Sequence, residues 1–287
     1  MSWTNYHSHS HFCDGKEAPE THVKQAIAHG MPAFGFSTHA PVPFKTSWAM
    51  PAERLTEYVT ETRRLQELYK AEIELYVGLE IDYIPALVGP SSPELLAADL
   101  DYCVGSVHYV NAFADGQPWE IDGPHTVFLR GLQEIFEGDV RAAITQYYAL
   151  TQEMIEIDCP DVVGHIDKIK MQSENNQLFD TQSEWYKALV LATLEVARDA
   201  DVIVEINTRG LYKKRDGGTY PSPWIMEAMA DMGIRTCLNS DSHHPNDLIT
   251  GFEETAAILQ KAGHKALWAL KEAEWQAFGF DTNGLNC

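Results

Sequence analysis

Two short motifs near opposite ends of the chain carry side chains suited to holding a cation. His7-Ser8-His9 places two imidazoles at i and i+2. In an extended chain such residues point the same way and can grip one metal ion. Asp241-Ser242-His243 repeats the spacing after an apolar run, Ile234–Leu238. Glu80 closes the run Tyr76-Val-Gly-Leu, and its carboxylate has two oxygens able to bridge two neighbouring cations. His39, His108 and His165 complete the set. Singly, each reads as readily as a hydrogen-bonding histidine, a polar turn or an ion pair. Their common position in the chain's secondary structure is what argues otherwise.

Short apolar or β-branched runs alternate with longer stretches of helical period, the pattern of a βα-repeat domain with a mainly parallel sheet. The runs predict strands over Ser2–Tyr6, Ala33–Ser37, Ile73–Leu79, Asp101–Val107, Asp161–Gly164, Asp201–Ile206 and Ile234–Asn239. Helices are expected over Pro19–His29, Pro51–Lys70, His125–Glu137, Val140–Ile157, Gln182–Asp199, Ser222–Met232 and Pro245–Ala262, with Gly30, Gly233 and Gly263 as left-handed caps. Every metal-competent residue named above then follows a strand's carboxyl end, the face where ligands collect in parallel barrels. The expected fold is an α/β, distorted seven-stranded TIM-like barrel, forming one domain over residues 1–287.

Composition narrows the function. With 21 Lys plus Arg against 42 Asp plus Glu, the formal charge of -21 disfavours nucleic acid and membrane surfaces as partners. No stretch is apolar enough to span a bilayer, and the start is polar rather than leader-like, so a cytoplasmic protein is expected. Five cysteines, none in a C-x-x-C pair, suit reduced thiols; Cys103 and Cys237 lie in apolar runs, while Cys13 sits near the first histidines.

From His7 to about Thr255 the chain resembles the polymerase and histidinol-phosphatase (PHP) superfamily, specifically its monofunctional histidinol-phosphate phosphatases. The matching pieces are His7-Ser-His9, Phe34-Gly-Phe-Ser-Thr-His39, Gly78-Leu-Glu80, Gly105-Ser-Val-His108, Gly164-His165-Ile-Asp167, Glu205-Ile-Asn-Thr208, Tyr220-Pro-Ser-Pro223 and Ser240-Asp-Ser-His243. The resemblance implies a distorted (β/α)7 barrel with three divalent metal ions. One would be held by His7, His9, Glu80 and Asp241, a second by Glu80, His108 and His165, and a third by His39 and His243 with Asp14, or less readily His11. The family often reads Thr-Asp-His where this chain has Ser37-Thr38-His39, so a carboxylate beside His39 is missing.

A mixed imidazole and carboxylate set suits Zn, Mn or Fe rather than Ca. A hydroxide bridging the two metals that share Glu80 would attack a phosphate monoester in line, the cations neutralising the phosphoryl oxygens. The phosphate should meet cationic side chains, and Arg209 and Lys168 follow strands at the right end. Asp241 and His243 are candidates for protonating the leaving group as well as for ligation. Lys213, Lys214 and Arg215 read as a mobile basic loop. For a substrate amine, Glu17 and the loop Trp119-Glu-Ile-Asp-Gly123 are the places to look. The expected reaction is hydrolysis of L-histidinol phosphate; the alternatives are a phosphoesterase acting on nucleotides or other small monoesters, and a metal-binding protein without catalysis.

Overall fold

Alternation of helix and strand dominates the computed structural model, which describes residues 3–213 and 218–286. In chain order the elements are α1 (Pro19–Ala28), β1 (Ala33–His39), α2 (Leu55–Tyr69), β2 (Glu74–Asp82), the one-turn α3 (Pro93–Leu96) and β3 (Tyr102–Ser106). A hairpin of β4 (Tyr109–Ala112) and β5 (Pro118–Glu120) follows, then α4 (His125–Phe136), α5 (Val140–Ile157), β6 (Val162–Val163), α6 (Glu184–Asp199), β7 (Ile203–Asn207) and the short α7 (Arg209–Tyr212). The chain continues through α8 (Pro223–Met232), β8 (Thr236–Asn239), α9 (Phe252–Ala262), β9 (Ala266–Lys271), β10 (Glu274–Asp281) and β11 (Gly284–Leu285).

Proline opens α1 and α8, where its fixed φ is already helical and its missing N–H costs nothing. Asp139 caps α5 by accepting from the Ala142 N–H. Gly233 and Gly263 end α8 and α9 in the left-handed region, as expected from sequence. The helix expected over Pro245–Ala262 is interrupted: Pro245–Asp247 forms a 3₁₀ turn, and Gly251 at φ 83° redirects the chain before α9.

Six parallel strands lie in the order β1-β2-β3-β6-β7-β8, curling into a distorted barrel. The strand expected over Ser2–Tyr6 is not a ladder. Ser2 lies outside the described residues, and the segment that follows is seated between β1 and β8 through single bridges, Asn5 with Phe34 and Ser8 with Ser242. Side chains take over the hydrogen bonds a ladder would make. The Asn239 amide oxygen accepts from Tyr6 N at 2.7 Å and the Ser37 hydroxyl accepts from Ser8 N at 3.0 Å. Asn5 Nδ2 donates to the Ser240 hydroxyl at 2.8 Å and to the Leu248 carbonyl at 3.1 Å. Backbone bonds from Gly35 N to Asn5 O and from His9 N to Ser242 O complete the seam.

Two pieces escape sequence periodicity. The hairpin β4–β5 is too short to show a period, although its connection carries the turn signal Asp115-Gly116, with Gly116 at φ 85°. The antiparallel meander β9–β10–β11 alternates weakly but packs under the barrel. There the Tyr6 hydroxyl donates to Leu270 O and accepts from Leu270 N, and Trp275 meets the rings of Tyr6 and Tyr102 edge-on. The barrel is thus plugged at the end opposite the histidines. Among the described residues no helix is long and apolar enough to cross a membrane, and Cys13, Cys103, Cys159 and Cys237 are free thiols.

Inside the plug, Tyr102 sits against Gly35 and Gly78, with its hydroxyl 2.7 Å from Tyr6 O and 2.8 Å from Phe36 O. A Cβ on Gly78 would lie 2.6 Å from the Tyr102 ring and 2.9 Å from the Phe36 carbonyl. Gly78→Ala should therefore lower unfolding stability by about 1–3 kcal/mol, the cost of overpacking a tight core. Urea denaturation measures this, and unchanged stability would show that the ring and the β1 backbone yield freely.

Candidate functional site

The curled sheet brings the dispersed residues to one end. His7 and His9 leave the closing segment, His39 is the last residue of β1, and Glu80 stands inside β2 rather than after it. His108 follows β3, His165 follows β6, Arg209 opens α7 after β7, and Asp241 and His243 follow β8. His7, His9, Glu80, His108, His165 and Asp241 are buried, and Glu80 is only 1% exposed.

Glu80 is the hub. Its Oε2 lies 2.9 Å from His39 Nδ1, 3.2 Å from His7 Nε2 and 3.5 Å from His9 Nε2. Its Oε1 accepts from the Ser106 hydroxyl at 2.7 Å and faces His165 Nε2 at 2.9 Å and His108 Nε2 at 3.6 Å. Asp241 Oδ1 lies 3.2 Å from His9 Nε2 and 3.9 Å from His7 Nε2. Asp14 Oδ1 is 3.2 Å from His243 Nε2 and 3.9 Å from His39 Nε2.

The far nitrogens of two imidazoles are already committed. Glu205 Oε1 holds His7 Nδ1 at 2.6 Å and Asp82 Oδ1 holds His108 Nδ1 at 2.9 Å. Each carboxylate fixes the proton on Nδ1, which turns the Nε2 lone pair inward. A lone pair aimed at a carboxylate oxygen is repulsive without positive charge between them. Consistently, His7 Nε2, His9 Nε2, His39 Nδ1 and Asp14 Oδ1 are buried without a hydrogen-bond partner among the described residues. A donor set of this kind fits a cation.

Electrostatics give the same answer. Burial opposes ionisation of Glu80 and Asp241, yet both are held well below the ordinary carboxylate range, Glu80 by His7 and His39 and Asp241 by Arg209 and His7. For His7, burial favours the neutral ring, but Glu205, Glu80 and Asp241 outweigh it and raise its pKa, a demand for positive charge at that point. His9 is pushed the other way, first by burial and then by His243 and His39, leaving a neutral ring. Three clusters bring possible ligand atoms within 4.8 Å of one another: His9, Asp14, His39 and His243; His7, Glu80 and His165; and His7, His9 and Asp241. Each residue expected to ligate falls in one of them except His108, whose Nε2 faces Glu80 and the Lys168 ammonium.

Both expected cations reach the site. Lys168 is 8% exposed, with Nζ 3.4 Å from His108 Nε2 and from His165 Nε2 and 3.1 Å from Asp122 Oδ2. Arg209 Nη1 donates to the Asp241 carbonyl at 2.6 Å and lies 2.6 Å from His243 Nδ1. Asp241 has φ 50°, a left-handed conformation that acidic residues tolerate better than most. Arg209 and the Tyr212 hydroxyl, at 3.0 Å, hold that carbonyl in place.

Other expectations fall away. His11 is exposed, with its ring tilted against that of Phe12, and Asp14 is the residue that lies near His39 and His243. Glu17 is exposed on the surface, whereas Glu120, Asp122 and Gly123 line the cavity with Trp48, Met171 and Tyr220. That cavity measures about 370 Å³. Lys213 reaches its rim and pairs with Asp247 at 3.5 Å; Lys214 and Arg215 lie outside the described residues.

Sequence reasoning gave no role to Glu205, Asp82, Asn239 or Trp48. A glutamate within Val202-Ile-Val-Glu-Ile206 and an aspartate two residues beyond Glu80, hence on the same strand face, are signals that could have found the first two. Glu205 also accepts from His165 N and from the amides of Asn207 and Asn239, which ties three elements to the His7 ring. Asp167 instead anchors the 218–222 segment, accepting from Lys170 Nζ and from the Ser222 N–H and hydroxyl.

Comparison with known proteins bears on this geometry. A Deinococcus radiodurans protein named "Probable histidinol-phosphatase" is 27% identical over 264 residues, covering 91% of this chain and 94% of that protein. The histidinol-phosphatase of Bacillus subtilis is 26% identical over 266 residues, covering 86% and 96%. The structure of Lactococcus lactis histidinol phosphate phosphatase, solved with zinc, L-histidinol and phosphate, superposes with a TM-score of 0.71 at 21% identity, over 100% of this chain and 99% of that one, and shares its fold. The PHP domain family matches residues 5–209, a span that carries the closing segment, Glu80 and all the site histidines but His243, and the chain belongs to that family.

Proposed function

We propose that the chain, acting as one barrel domain over residues 1–287, is a metal-dependent phosphomonoesterase that hydrolyses L-histidinol phosphate to L-histidinol and phosphate. The observation that carries this reading is the convergence of imidazole lone pairs and ionised carboxylates on Glu80, with the buried Lys168 and the partly buried Arg209 beside them. The names and near full-length coverage of the relatives support the choice of substrate.

His7, His9, Glu80 and Asp241 would hold one divalent ion and Glu80, His108 and His165 a second; Asp14, His39 and His243, with His9 adjoining, would hold a third. Zinc, manganese and iron fit the mixed donor set. Such ions, when bound, supply Lewis-acid neutralisation of the phosphoryl oxygens and activation of water. The protein's own part is to hold the ligands rigid: Glu205 and Asp82 orient His7 and His108, and Arg209 and Tyr212 fix the turn at Asp241. Arg209 and Lys168 are assigned to the phosphate, since a dianion is costly to desolvate without donors that carry charge. Asp241, held ionised, is assigned to ligation rather than to protonating the leaving oxygen.

Two measurements test this. Across a panel of phosphate monoesters, L-histidinol phosphate should show the highest kcat/KM; faster turnover of nucleotides, or no turnover of any ester by metal-loaded protein, would overturn the assignment. Glu80→Gln should abolish activity and remove more than one metal equivalent per chain by elemental analysis, because its two oxygens face different imidazoles. Full metal content in that variant would contradict the shared-ligand role.

A further inference from the structure

The loop after β1 and the hairpin after β3 give the cavity a wall unlike the one that carries Arg209. Trp48, Glu120, Asp122 and Gly123 line it. Its two carboxylates differ in their neighbours. Asp122 is paired with Lys168 at 3.1 Å. Glu120 has no Lys, Arg or His within ion-pairing distance among the described residues; its one hydrogen bond from another side chain comes from the Trp48 indole N–H, at 3.2 Å to Oε2. Burial and the charge of Asp122 both raise the Glu120 pKa, as expected for a carboxylate short of cationic neighbours. A partly buried carboxylate facing a cavity without a counter-charge is costly, and a ligand cation relieves that cost.

Trp48 ties this carboxylate to the metal-competent cluster. Its ring stacks on Tyr109 at 5.7 Å and 15°, and meets His39 edge-on at 4.5 Å and His108 at 5.6 Å. One rigid ring system therefore sets the separation between Glu120 and the imidazoles. A phosphate ester of an amino alcohol carries opposite charges a few bonds apart, which is the arrangement such a spacing would read.

We propose that Glu120 binds the ammonium group of the substrate alcohol and that Trp48 is a positioning residue holding it at a fixed distance from the phosphate site. The inference rests on the phosphomonoesterase reading above and adds a specificity element to it. Lys168 already neutralises Asp122, so of the two acids Glu120 is the one left for the ligand.

The test compares L-histidinol phosphate with its analogue lacking the amine, 3-(imidazol-4-yl)propyl phosphate, using metal-loaded protein. Glu120→Gln keeps shape and removes charge. It should raise KM for L-histidinol phosphate by about tenfold or more, the scale of a hydrogen bond to a charged group. KM for the analogue and kcat for both esters should stay close to wild type. Trp48→Phe keeps the ring and removes the N–H, and should shift the same KM in the same sense by less. Equal changes for the two esters, or none for either in a variant with native circular dichroism and metal content, would overturn the proposal. If Glu120→Gln does not fold, Trp48→Phe decides: unaltered discrimination between the esters rejects the idea. Wild-type protein indifferent to L-histidinol phosphate would defeat the enclosing functional reading, whereas wild-type selectivity that survives in Glu120→Gln defeats this inference alone.

Discussion

Glu80 is buried and ionised, and the imidazole nitrogens around it have their lone pairs turned inward by carboxylates on the outside. Among the described residues, four buried ring or carboxylate atoms at this centre lack a hydrogen-bond partner. At about 1–3 kcal/mol for each unsatisfied group, their sum is comparable with the 5–15 kcal/mol that holds a typical domain folded. Such a centre is tolerated only where the surrounding structure fixes it and a bound cation offsets the repulsion. Folding stability and cation binding are for that reason two expressions of one interaction.

What fixes the centre is the seam that closes the barrel. His7 and His9 reach Glu80 because Asn5, Tyr6 and Ser8 are clamped between β1 and β8 by side chains as well as backbone. The clamp is short, and the meander reinforces it from the opposite end through Tyr6, Leu270 and Trp275. A region far from the chemistry thereby sets the position of the first two histidines. Glu205 extends the same logic, touching the closing segment, the turn after β6 and the end of β8 at once.

Charge is distributed with similar economy. The chain carries a formal -21, yet Lys168, Arg209 and Lys213 stand at the cavity. A long polyanion would meet repulsion over most of the surface, whereas a small phosphate ester needs favourable charge only at the cavity itself. Pairing Lys168 with Asp122 while Glu120 has no cationic side chain beside it among the described residues gives that small site an asymmetry matched to a ligand bearing both signs of charge.

Much of this was legible before any coordinates. Side chains at i and i+2 share a face of an extended chain, so His7-Ser8-His9 and Asp241-Ser242-His243 stood out as metal-competent side chains brought to one place, and the alternation of strand and helix announced that strand ends would meet. Glu80 stood out because a carboxylate ending an apolar run must find positive charge. Local pattern could not reveal that the first strand is a clamp rather than a ladder, since its hydrogen bonds come from Ser37, Asn239 and Ser240, remote in sequence. Nor could it find the orienting roles of Glu205 and Asp82 or the tie from Trp48 to Glu120, which exist only once separate loops are packed together. Residue type and spacing determine which chemistry is available; which oxygen faces which ring, and which carboxylate pairs with a lysine and which with an indole, depend on distances that only the folded chain sets.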